Sequence, residues 1–225
     1  MRDLIFVFVD HFEPHWPGDV DAWVRRWPET ARRFADAGGN APKHTWFYDD
    51  CDPQVLDALG GLCRQGLGEI EVHLHHSFDT SFGLRDKLER RKRVYADHGA
   101  LVTVGDPTLH TFGFIHGKWS LDNSRGDECC GVTDELQVLR ECGCYADFTF
   151  PAWGPMQPRL ANAIYYATDD PAASKSYTRG VPVAVGRAPS GDLMIFEGPG
   201  RLSGVPVSLA RFRPLVRLAD VLFTT

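Results

Sequence analysis

The sequence predicts an α/β protein, an irregular or incomplete (β/α) barrel built as a single domain over residues 1–225. Three observations lead there. LIFVFV at 4–9 is a continuous apolar run, as a strand covered on both faces requires. Candidate strands and helices then alternate with a period of roughly 30 to 40 residues, the rhythm of βα units. Acids, histidines and aromatics fall just at the ends of those strands, where parallel βα architectures carry their sites.

The elements follow in order. Strand 4–9 runs into Asp10-His11, with Glu13 and His15 just beyond. Residues 19–37 read as a helix, since Val20, Trp23, Val24, Trp27 and Ala31 recur at helical spacing; Pro28 interrupts it and Gly38-Gly39-Asn40 ends it. HTWFY at 44–48 is aromatic and β-branched, hence a strand. Pro53 to Gln65 is a helix with Asp52 as its cap and Pro53 at its first position. Glu69-Ile70-Glu71-Val72 alternates into a strand that carries His73 and His75. Residues 84–98 form a charged helix whose Arg and Lys run is interleaved with Asp86 and Glu89, a solvated face. HTFGFIH at 110–116 is a strand, Val132 to Cys142 a helix capped by Thr133, and YADFTF at 145–150 a strand stopped by Pro151. A short helix is expected at 157–167, and DLMIFEGPG reads as strand and turn. LVRLADVL near the end starts a helix, so the chain is expected to lack the last strand or strands of its domain.

Composition narrows the function. Hydrophobic residues at 43% and charged residues at 24% fit a soluble globular protein. A net charge of −6 argues against a nucleic-acid partner bound through phosphate neutralisation. No apolar run reaches the length of a membrane span, and the first one, ended by Asp10, is too short for a signal peptide; a cytoplasmic protein is expected. The six cysteines (Cys51, Cys63, Cys129, Cys130, Cys142, Cys144) lack CxxC spacing. Reduced structural thiols are the expectation, with a disulfide or a metal cluster as alternatives.

Three of the nine histidines fall at 73–76. Residues two apart on a strand share a face, so His73 and His75 point together, and His76 joins them only if the strand breaks. Imidazole is the commonest metal ligand, and the cluster reads as a site for a divalent metal, zinc first. The competing reading is a polar strand end. Asp10, and His11 beside it, complete the expected set from the neighbouring strand, Asp10 as the catalytic carboxylate. His116, Trp119, Asp122, Asn123 and Asp147 are the candidate substrate-binding residues. Trp119 would offer an aromatic platform to a sugar ring, or would simply pack.

VDHFEP, HLHH, GFIHGKWSLDNSR and CYADFTFPA, in that order, resemble the polysaccharide deacetylase superfamily, and most closely an uncharacterised bacterial branch with HLHH, WxLDNS and GCYADFT strings. The resemblance implies a barrel of the deacetylase type and a metal-dependent hydrolase that removes acetyl groups from a carbohydrate substrate. It implies Asp10 as base, His11 at the place of a metal-binding aspartate with Glu13 nearby as another candidate ligand, and His73 with His75 or His76 as metal ligands, since Ser77 stands where the second histidine of the motif falls. The superfamily's catalytic histidine near the C-terminus has no counterpart after His116. The alternatives are a non-catalytic carbohydrate-binding or polysaccharide-assembly protein on the same scaffold, and a hydrolase of small amides.

Overall fold

The computed structural model describes residues 9–103, 109–152 and 154–198. The fold is α/β. The chain divides into two compact units, Met1–Leu74 with Lys87–Phe114, and His75–Asp86 with Ile115–Thr225.

The first unit contains strands β1 (Val9–Phe12), β2 (His44–Tyr48) and β3 (Gly68–Leu74), which pair in parallel. Helices α1 (Pro17–Arg33) and α2 (Pro53–Arg64) connect them, the βαβ crossover that parallel pairing demands. β4 (Val102–Thr103) pairs antiparallel with β5 (His110–His116), and the strand order here is β1-β2-β3-β5. All five β2 residues are buried, so this strand is covered on both faces. Trp46, Phe47, Leu56, Leu59, Ile70 and Val72 form the centre of its core. The α2 cap is as expected: Asp52 Oδ1 accepts from Gln54 N at 2.8 Å.

The carboxyl ends of these strands are tied down by α3 (Ser81–Asp97). Arg91 Nη1 donates to the carbonyls of Tyr48, at 3.1 Å, and His73, at 2.7 Å. Tyr95 Oη donates to the carbonyls of Tyr48 and Asp50 at 2.7 and 3.0 Å. These donors satisfy carbonyls that the strands leave unpaired where the chain turns away.

The second unit contains α4 (Glu135–Glu141), β6 (Cys144–Phe150), β7 (Ala163–Ala167), β8 (Val181–Pro182) and β9 (Leu193–Glu197), in the order β6-β9-β7-β8. β6 and β9 are parallel; β7 is antiparallel to both β9 and β8. In neither unit does the strand order close on itself among the described residues.

Several boundaries differ from expectation. The run at 4–9 falls almost wholly outside the described residues; the described part of the first strand extends to Phe12, so Asp10 and His11 lie within the strand and not after it. The histidine strand stops at Leu74, before His75. The helix expected at 157–167 is absent. Pro158 and Asn162, at φ +51°, interrupt that stretch, and Ala163–Ala167 pairs along its whole length with β9. Thr133 does not cap α4, which starts after Asp134. The helix start at 216–221 lies outside the described residues. The six cysteines are free thiols.

Candidate functional site

The first unit gathers one group of ligand-type side chains at the carboxyl ends of its parallel strands. In register, His11 of β1 lies beside Phe47 of β2, which lies beside Glu71 of β3. Glu13 is two residues beyond His11 and His73 two beyond Glu71, so pleat alternation directs all of them to one sheet face. His73 Nε2 sits 2.9 Å from Glu13 Oε1, and the rings of His11 and His73 meet edge-on with centroids 4.9 Å apart. One ligand atom from each of His11, Glu13 and His73 lies within 4.8 Å of the others, a set that can hold a metal ion. His73 is fully buried, while His11 and Glu13 are partly exposed, so the group opens to solvent on one side.

Asp10 is on the other side of the strand. Its Oδ2 lies 3.8 Å from His44 Nε2, and the His44 ring packs against Trp23 and Trp46. Adjacent strand residues point to opposite faces, so Asp10 and His11 could not have shared a pocket once both lay within β1. The expected pairing of Asp10 with His73 is corrected accordingly, and Glu13 takes the place beside His73. Glu13, already a candidate ligand from the resemblance, keeps the phase of His11 at a spacing of two.

Just beyond the ends of β1 and β2 is a cleft of about 280 Å³. Its walls include His15, Trp16, Tyr48, Asp50 and Asp52, with Trp16 strongly exposed. Ligands of open α/β sheets bind in this position, outside the carboxyl ends of the strands.

The remaining candidate residues lie in the second unit. His75 is exposed and stacks over Gly117; a Cβ at residue 117 would come within 2.4 Å of the His75 ring. His76 and His116 are buried with their rings 4.4 Å apart. Trp119 is 44% exposed. Asp122 is fully buried: its backbone N–H donates to Glu135 Oε2 at 2.6 Å and its Oδ2 accepts from Ser176 N at 2.5 Å. Burial pushes its carboxyl up to about 8. Asn123 bridges Asp127 and the Gly131 N–H within its loop. Asp147 is fully buried, accepts from Thr149 N and Oγ1, and is likewise raised to about 8 by burial. Lys118, Trp119, Asp122 and Asn123 all have positive φ, a strained turn that tertiary contacts hold in place. Glu135 was not among the residues expected to carry chemistry, and Cys130 only as one of six cysteines with a metal cluster as an alternative, yet both are buried beside His76 and His116. Glu135 reads in sequence only as an acid in the first turn of a helix.

No helix among the described residues is long and apolar enough to cross a membrane. No family model and no solved structure matches the chain. It is similar to the adenine-specific methyltransferase BrxX of Escherichia coli O9:H4 (strain HS), 26% identical over 128 residues, which is 56% of this chain and 10% of that protein. The chain thus spans about a tenth of the length of the curated relative it matches. That similarity stands against the expectation of a carbohydrate deacetylase or other hydrolase, and the hydrolase reading is withdrawn.

Proposed function

We propose that the chain is an enzyme with a divalent-cation centre formed by His11, Glu13 and His73. The observation that carries this is the 2.9 Å approach of His73 Nε2 to Glu13 Oε1 beside the His11 ring. Two imidazoles and one carboxylate suit zinc or another borderline divalent ion, with zinc the first choice. Three protein ligands leave coordination positions open, and the partly exposed side of the group is where they face. Bound there, the ion would polarise an oxygen of a substrate. The chain's own part is to hold the ligands: Arg91 fixes the His73 backbone from behind, and Phe47 fills the sheet face between β1 and β3. Titration of chelator-treated protein with Zn²⁺ by calorimetry tests this. Wild type should bind with a heat that Glu13→Gln reduces sharply; equal binding by both excludes the centre.

A second reading is favoured by the methyltransferase similarity together with the cleft. A methyl donor that carries adenosine and no phosphate needs an aromatic face and acids for ribose hydroxyls, and Trp16 and Asp50 offer both. On this reading the chain is a segment of an adenine-modifying protein. Calorimetry with S-adenosylmethionine and the Trp16→Ala variant tests it.

For the scaffold, we propose the irregular (β/α) barrel type of the polysaccharide deacetylase superfamily, as one domain and without that superfamily's activity. Supporting it are the strings quoted above and the parallel β1-β2-β3 layer with histidines at its carboxyl ends.

A further inference from the structure

We infer that His76, His116, Cys130 and Glu135 form a second, closed metal site in the second unit, one that holds Zn²⁺ as a structural ion. All four residues are buried, with exposures of 5% for His76 and 0% for the others. One ligand atom from each lies within 4.8 Å of the others. His76 Nε2 is 3.0 Å from Glu135 Oε1, His116 Nε2 is 3.6 Å from the same oxygen, and Cys130 Sγ is 3.5 Å from Glu135 Oε2. Ligands on one tetrahedral zinc, with bonds of about 2.0–2.3 Å, stand roughly 3.3–3.7 Å apart. The His116–Glu135 separation falls in that range, while His76 stands at hydrogen-bond distance from Oε1 and Cys130 approaches the other oxygen, so an ion would draw the four together by small shifts.

The tautomers point the same way. His116 donates its Nδ1–H to the Gly117 carbonyl, which turns the Nε2 lone pair towards Glu135. Asp79 Oδ2 lies 3.3 Å from His76 Nδ1, placed to support that nitrogen once a metal takes Nε2. A carboxylate or carbonyl on the far nitrogen is the usual support of a metal-bound histidine. A neutral His76 can satisfy Glu135 Oε1 by donating its Nε2–H at 3.0 Å, but with Nδ1 of His116 spent on the Gly117 carbonyl the His116 Nε2 lone pair faces the same carboxylate, a repulsion that a cation among them removes. With zinc the charges close: Cys130 gives its thiol proton to solvent on binding, and thiolate plus carboxylate balance the ion while both imidazoles stay neutral. Glu135 Oε2 already accepts the Asp122 N–H, so Oε1 is left for the metal. Two imidazoles, one thiolate and one carboxylate fill a tetrahedral shell, the mark of a structural site as opposed to a catalytic one.

The fold supplies these ligands from four places. His76 follows β3, His116 ends β5, Cys130 sits in the loop before α4, and Glu135 opens α4. The loop that carries Cys130 has little regular structure, and a shared ion would hold it to the end of β5.

The test is cobalt substitution of the intact chain. Tetrahedral Co²⁺ with a thiolate ligand shows a sulfur-to-metal charge-transfer band in the near ultraviolet. The band should appear in wild type and persist in His11→Ala, which touches only the first unit's centre. It should vanish in Cys130→Ser. Should Cys130→Ser fail to fold, X-ray absorption at the zinc edge of His11→Ala, which keeps only the second unit's site, decides: one sulfur at about 2.3 Å with lighter ligands near 2.0 Å is expected. No band in cobalt-loaded wild type, a band that survives Cys130→Ser, or an absorption shell without sulfur overturns the site.

Discussion

His73 Nε2 lies 2.9 Å from Glu13 Oε1, across a sheet in which their strands are separated by β2. Neither residue is next to the other in sequence or in strand order. What brings them together is register: each lies two residues past a pair already aligned through Phe47.

This placement changes what a deletion of His73 should do. A ligand at a rim would be removable without cost to the fold, but His73 has no exposure and lies beneath the group. His73→Ala should lower stability by about 2 kcal/mol or more, as truncations of buried side chains do. Urea unfolding measures it; an unchanged midpoint would mean that the side chain is not packed as described. His11→Ala, at a half-buried position, should cost well under half as much and is the cleaner probe of metal binding.

Arg91 holds two strand ends at once. Its Nη1 donates to the carbonyls of Tyr48 and His73. Arg91→Met keeps most of the side chain's apolar length and removes both bonds. A loss of about 1.5–3 kcal/mol is expected, the range for hydrogen bonds to a charged group. The same variant should weaken Zn²⁺ binding in calorimetry, since the His73 backbone loses its anchor. A variant as stable as wild type would show that the clamp is idle.

Much of the fold was legible before the structure. HTWFY and HTFGFIH were bounded correctly because their aromatic and β-branched runs have no helical alternative, and Asp52-Pro53 marks a helix start unambiguously. The site was only partly legible. The histidine cluster identified the right neighbourhood, but strand β3 ends at Leu74, and that one-residue difference sends His73 and His76 to separate groups. Sequence also could not pair Glu135 with His76, 59 positions away, because that contact depends on where a loop returns. In place of the helix expected over 157–167, Ala163–Ala167 is a strand, because pairing with β9 decides its conformation.

Asp147 predicts a pH dependence. Burial raises its carboxyl from an ordinary 3.8 up to about 8. Between those values the folded protein keeps a proton that the unfolded chain has released. Its contribution is therefore full below pH 3.8 and is lost as pH rises towards 8. Thermal midpoints should fall across that window, and Asp147→Asn should flatten the fall. A slope that Asp147→Asn leaves unchanged would assign the dependence to other groups.

Gly131 has φ +99°, and a Cβ there would lie 2.7 Å from the Asp79 backbone nitrogen. Gly131→Ala is strained both in its own conformation and against a backbone atom that cannot yield. The next residue back is Cys130, so the variant should lower the thermal midpoint by several degrees and also diminish the cobalt charge-transfer band. Calorimetry and absorption of one preparation check both; a midpoint equal to wild type would show that the loop relaxes freely.

The central claim is that His11, Glu13 and His73 share one cation. Anomalous diffraction at the zinc edge, from crystals grown with Zn²⁺, reads it most directly. The account predicts an anomalous peak about 2.0–2.2 Å from a nitrogen of His11, a nitrogen of His73 and an oxygen of Glu13. Clear density for these three side chains in direct contact with one another, with no anomalous peak among them at saturating Zn²⁺, would contradict it.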